Sequence, residues 1–254
     1  MRKRSFVQIL ILLILFFTVV FVYDNIKYDF YEAINRTFLI AGSGYPVDLP
    51  LLAWQHTVMS FWACFLSIII GVSLGVFAMT GIGKEFRIVI EKLTSFSKSL
   101  PAIGLLAMLI PIFGFGAVPG IIVLVLGGVM PIVYSTIAGI ANVPDFMLEV
   151  GLGLGMSRQR LFLEVQTPLA FPVLISGMRT ASTIIIGGAT LAAFSGSGGL
   201  GMLIISAGIR GFDPVMLMEG VLPISLMALI ADRSFGLLEQ MAQKHFGLEK
   251  HDIL

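Results

Sequence analysis

Asp145, Glu149, Arg158, Arg160 and Glu164 stand close together in a chain of which only 12% of residues are charged. None of them is arranged for bond-making. No ordered Ser/His/Asp set and no His-Glu-x-x-His is present, and His56, His245 and His251 lack the spacing of metal ligands. A phosphate-cradling Gly-x-x-x-x-Gly-Lys-Ser/Thr loop is also missing, so the sequence offers no such route to ATP hydrolysis. Gly196, Gly198 and Gly201 match the dinucleotide-binding letters, but they fall between apolar runs rather than between a strand and a helix. The chemistry left to the charged stretch is recognition, a polar projection docking on a soluble surface.

Local signals around that stretch predict its shape. Asp145 follows Pro144 and is expected to cap a helix start with its carboxylate. Phe146, Val150 and Leu154 recur every four residues, which puts them on one helical face. Gly155, free of a Cβ, is suited to a left-handed stop. Ser157 is expected to cap a second short helix carrying Leu161, Phe162 and Val165, which Pro168 should end. A capped helix–turn–helix results.

The elements that hold it are membrane spans. Mean hydropathy is +0.99. Hydrophobic residues make up 57% of the chain and charged ones 12%, which excludes an ordinary soluble domain. A net charge of +1 leaves no electrostatic case for nucleic acid. The single cysteine, Cys64, lies in an apolar run and reads as a packing residue. Ser5 to Tyr23 follows three basic residues, lacks a small-x-small cleavage site and approaches the ~20 residues a span needs. Residues 1–23 are therefore expected to be a retained anchor, 24–55 an extracytoplasmic linker, 56–240 the main membrane domain and 241–254 a charged tail. Within that domain, spans are expected at His56–Thr80, twice in 99–144 with a break near Gly114–Gly120, at Leu169–Phe194 and at Pro214–Ile230. That gives an all-α polytopic fold of about six spans. Lys84–Lys98 should be amphipathic and lie along the inner face, and Pro101, Pro111 and Pro131 are expected to kink helices. Gly71 and Gly75, four apart, either admit a close helix neighbour or are merely membrane-helix glycines.

With these spans, twelve of the sixteen Lys and Arg residues fall inside, Lys27, Arg36 and Arg210 outside, and Arg179 within a span. Both termini and the docking stretch are then cytoplasmic, where ATP is. Arg179 would lie roughly 16 Å along a helix from Pro168; a structural role beside the docking stretch is favoured over a pore role. Glu219 falls in the last span, where helix pairing and pathway lining both fit an intramembrane carboxylate.

Glu149, Gly155 six residues on, Val165 ten further and Pro168 three beyond resemble the "EAA" loop of ABC importer permeases. Val150-Gly151 stand where that family usually has two alanines, and Thr167 where it has leucine. The resemblance extends from Thr57 to about Gln240 through Leu100-Pro101-Ala102, Phe113 to Gly116, Gly155-Met156-Ser157, Gly177 to Thr180 and Gly198 to Gly201. Over this length it is most similar to osmoprotectant importer permeases for glycine betaine, choline and related amines. It implies the type I ABC importer fold, with a cytoplasmic coupling helix and a transport pathway worked by alternating access. It further implies a bacterial plasma-membrane protein with two ATPase subunits, an extracytoplasmic binding protein and a second permease subunit, identical or paralogous. ATP and Mg would be bound by the ATPase partner, and no cofactor or metal by this chain. Trp62, Tyr134 and Phe194 could offer aromatic faces to a quaternary ammonium, or serve packing alone. An amino-acid or other small-solute importer remains the alternative, with an ion-coupled secondary transporter behind it.

Overall fold

The computed structural model describes residues 2–22, 48–209 and 212–246. Most of the linker, with Lys27 and Arg36, lies outside the described residues, as do Arg210 and the end of the tail. The chain begins with α1 (Arg2–Phe17), prolonged by a π-helical turn over Thr18–Val22. Long α2 (Leu49–Met79) and amphipathic α3 (Gly83–Ser99) follow, the latter at the place expected for it. Next come the short α4 (Ala102–Phe113) and the long α5 (Ala117–Ala141). Two short helices, α6 (Asp145–Gly153) and α7 (Arg158–Leu161), precede α8 (Thr167–Ala192). The described residues end with α9 (Gly201–Ile209) and α10 (Pro214–His245).

Two helix starts share one device. Asp48 accepts from the Leu51 amide at 3.0 Å, with Pro50 in the first turn of α2. Asp213 accepts from the amides of Val215 and Met216 at 3.0 and 3.2 Å, ahead of Pro214 in α10. The carboxylate satisfies orphan donors while proline, which lacks one, occupies a position where none is needed. Because of this cap α2 begins at Leu49, seven residues ahead of the expected His56. At the other end of the chain, α10 runs past the expected Ile230 to His245, into the expected tail.

Length and apolarity suit four helical stretches to crossing a membrane: Leu49–Met79, Ala117–Ala141, Arg158–Ser195 and Pro214–His245. Ser5–Phe21 and Ala102–Phe113 are shorter apolar helices. The 12 residues of α4 reach about 18 Å, well below the ~30 Å of a hydrocarbon core, so 99–144 holds one long and one short helix. Pro101 precedes α4 in an extended conformation and kinks nothing, whereas Pro111 and Pro131 lie inside their helices.

The core is α5 packed between α2 and α8, with α10 against the far side of α8 and α1 against α10. Small residues set these approaches. A Cβ on Gly71 would come within 2.7 Å of Ile132, and one on Gly75 within 2.5 Å of Thr136. The glycine pair is thus a close-approach seam between α2 and α5, of the kind that lets helices pack in lipid without a hydrophobic driving force. Gly128 meets Ile185 and Gly139 meets Ala170 in the same way, joining α5 to α8.

Candidate functional site

The α6–α7 projection is built from short-range bonds. Gly155 has φ +80°, and around it the Met156 amide donates to the Gly151 carbonyl and the Gly155 amide to that of Leu152, both at 3.0 Å. This pair of bonds is a Schellman closure of α6. Ser157 then caps α7 by accepting from the Arg160 amide at 3.3 Å. Arg160 pairs with Glu164 one turn on, at 2.8 Å. Gly151 has a steric role: a Cβ there would run into the Cδ1 of buried Leu161, so the glycine lets α6 lie against α7.

Two expectations are corrected here. Asp145 does not cap α6. Pro144 is the capping residue, with no side-chain bond, and Asp145 is the first helical residue, where its charge still suits the helix dipole. Nor does Pro168 end a helix. The helix of Arg158 runs on to Ser195, with Pro168 in the first turn of α8. A π-helical turn over Phe162–Gln166 makes this possible. Within it the Thr167 amide and hydroxyl both donate to the Phe162 carbonyl, the hydroxyl at 2.8 Å. The wider bonding pattern carries the helix through a residue that lacks a donor.

Glu149 and Gly155 therefore lie on the α6 arm, both exposed, while Val165 and Pro168 are half-buried on the arm continuous with α8. Phe146, Val150 and Leu154 are 60%, 58% and 79% exposed, an apolar ridge on the outer side of α6 beside Glu149. Ridge and carboxylate together present a small amphipathic surface on a closed, capped turn.

Arg179, three turns up α8, is bound to α10. Its Nε and Nη2 donate to the two carboxylate oxygens of Asp232 at 2.6 and 2.8 Å, and Nη1 lies 3.7 Å from Glu239. Gly236 stands between the two acids on the same helical face, and the guanidinium lies across it. This fork-to-fork pair braces α8 against α10. Glu239 escaped the sequence reading because nothing local links it to a residue sixty positions earlier. Glu219 is only 7% exposed and sits in the second turn of α10, far along that helix from the Arg179 brace.

At the opposite end of α8 the bonds are neutral. The Ser195 hydroxyl shares its one proton between the Ala192 carbonyl at 2.7 Å and the Gly116 carbonyl at 2.9 Å, and the Ser195 carbonyl accepts from the Gly116 amide at 2.7 Å. Gln55 accepts from the Gly199 amide at 2.9 Å, and the fully buried His56 ring donates from Nε2 to the Ile186 carbonyl at 3.0 Å. The glycine-rich loop is thereby fastened to the start of α2. Gln55 and His56 carried no sequence signal for this, since their partners lie more than 120 residues away. Of the three aromatic residues considered, Tyr134 is bonded to Ser95 on α3 at 2.5 Å. Trp62 stands edge-on to Phe61 and Phe65 on the exposed side of α2, and Phe194 is exposed beyond α8.

From within α2 to the end of α10, residues 67–244 match the family described as binding-protein-dependent transport system inner membrane component. The chain belongs to this family. The glycine betaine/carnitine/choline transport system permease protein OpuCB of Bacillus subtilis (strain 168) is 36% identical over 204 residues, covering 80% of this chain and 91% of the relative. The osmoprotectant import permease protein OsmY of Salmonella typhimurium is 33% identical over 186 residues, covering 73% of this chain and 78% of the relative. The fold matches that of an inward-facing methionine ABC transporter, MetNI, with TM-score 0.67 at 18% identity, over 74% of this chain and 93% of that one. As a family member the chain is a multi-pass ABC importer permease subunit, and α1 lies outside the residues that the family match covers.

Proposed function

We propose that this permease forms the membrane pathway for uptake of a quaternary-amine osmoprotectant, such as glycine betaine, choline or carnitine, powered by separate ATPase subunits. The substrate class rests on what the relatives at 33–36% identity are named for. The coupling mechanism rests on one observation: the exposed ridge of Phe146, Val150 and Leu154, with Glu149, is closed by a short capped turn onto the helix that runs from Arg158 into the spanning α8. An ATPase gripping this ridge would move Glu149 and Gly155 with α6, press through the bonded turn on Val165 and Pro168, and so tilt α8, with which those two are continuous. Arg179 would carry that tilt to α10 through Asp232.

In this reading α1 spans the membrane as an anchor, both termini are cytoplasmic, and two permease chains work with two ATPases and a binding protein. Glu219 then either pairs helices or lines the pathway in the outer half of α10. The test is ATP-dependent uptake of labelled glycine betaine by proteoliposomes holding this chain, its ATPase and its binding protein. Uptake competed by choline or carnitine is the expected result. ATPase activity that depends on Glu149, without betaine uptake, would keep the coupling and discard the substrate.

A further inference from the structure

Between α1 and the bundle lies a cavity of about 440 Å³, open on one side and bounded by α1, α2, α8 and α10. Leu13 and Phe16 form its α1 wall; Cys64, Ile186, Met227 and Ala231 close the other sides. Its polar content is slight. Thr57 and Ser182 turn their hydroxyls onto their own helices, to Ala53 and Arg179, and leave Ser60 as the remaining hydroxyl in the lining.

Depth decides what can enter. Ala231, beside the Asp232–Arg179 pair, marks one rim of the wedge, whereas Cys64 is the midpoint of α2 and Leu13 is halfway along the helix from Arg2 to Val22. In helices that span the bilayer these two midpoints fall near its midplane, out of reach of headgroups and water. Apolar cavities much smaller than this stay dry, and a dry void forfeits dispersion contacts along its whole lining. The volume falls in the range of ~300–1,000 Å³ typical of built ligand pockets. Val20 is 1% exposed and fixes the far end of α1 in the core around Leu49 and Leu200. The cavity is thus a wedge under a helix pinned at one end. The opposite face of α1, with Phe6, Leu10 and Ile14, is exposed and already suited to bulk lipid.

We propose that this wedge holds one phospholipid acyl chain, which completes the contact between α1 and the α2–α8–α10 wall. The test uses the full chain in vesicles of phosphatidylethanolamine and phosphatidylglycerol doped with a phospholipid carrying a diazirine at its tail end, with crosslinks mapped by mass spectrometry. The expected result is crosslinking at the Cys64 and Ala231 peptides above that at outward-facing Ile14 and Met108. In Ala231→Trp, which fills the wedge, cavity crosslinks should fall to the outward-facing level while the others persist. Cys64→Phe supplies the same filling if the tryptophan variant does not fold. Equal crosslinking inside and outside, or cavity crosslinks that survive both fillings, would overturn the proposal. The readout involves no transport, so its failure would leave the transport reading untouched.

Discussion

The two ends of α8 are built from different materials. At one end stand an exposed, capped turn, a π-helical junction and, three turns on, a charged brace to α10. At the other, Ser195 is joined to Gly116 and Gln55 to Gly199 by neutral bonds, each with a backbone group on at least one side, between segments distant in sequence. The turn and junction of the first end are self-contained, every bond that closes them spanning six residues or fewer, so they can move as a unit beneath the brace. The second is cross-linked to α2 and to the α4–α5 turn, so it is held where it is. One helix thus joins a part suited to displacement to a part suited to anchorage.

If the difference is real, substitutions at the two ends should separate activity from stability. The largest effect is expected for Glu149→Arg. Reversing a charge at the proposed docking surface costs roughly 2–5 kcal/mol of association, so uptake in proteoliposomes should fall by ~30-fold or more. The exposed carboxylate closes no fold contact, and the thermal midpoint of the purified variant should stay put. A matching loss of stability would erase the contrast between the ends. Arg179→Met comes next. Losing one partner of a buried pair costs several kcal/mol, and with both side chains about a third exposed the expectation drops to about 2 kcal/mol, or ~4–8 °C in midpoint. Arg179→Lys keeps the charge but loses the two-pronged geometry, and should fall between. If Lys matches Arg, the brace acts as a point charge and the fork is incidental.

At the Ser195 end the balance reverses. Ser195→Ala leaves the Gly116 carbonyl short of a donor and should cost about 1 kcal/mol, a shift of ~2–4 °C. The ratio of solute carried to ATP consumed should not change. A drop in that ratio would mean that the anchored end also takes part in coupling.

How much of this was legible in the sequence follows the same division. The loop could be read because its determinants are local: Gly155 needs a left-handed φ, Ser157 caps, and the spacing of Phe146, Val150 and Leu154 is helical. The four long spans were legible from hydropathy, but their ends and the shortness of α4 were not. Asp48 moved the start of α2 because a charged residue two positions from a proline reads equally well as linker or as cap. Pro168 misled because the rule that proline stops helices ignores a π-helical turn, which depends on the Thr167 hydroxyl as well as the backbone. Arg179 was singled out as a charge in a span, but its partners Asp232 and Glu239 are set by how α8 and α10 face each other, which no local pattern encodes.

The smallest effect probes whether the loop must be rigid to work. Ser157→Ala removes the one side-chain cap of the α6–α7 turn. Caps contribute ~0.5–2 kcal/mol, and the freed Arg160 amide stands at an exposed position where water replaces the hydroxyl, so the lower end applies. Global stability should barely move, since fraying of α7 leaves the Gly151–Leu161 contact intact. Hydrogen exchange at the amides of Arg160 and Leu161 should quicken a few-fold, by ~0.5 kcal/mol of local opening. Uptake should fall by a similar small factor if the ATPase grips only the closed turn, because the competent population shrinks by the same amount. Faster exchange with unchanged uptake would mean that docking itself orders α7. The coupling surface would then reduce to α6 with its Schellman closure, and Gly155 would be the residue on which the whole projection depends.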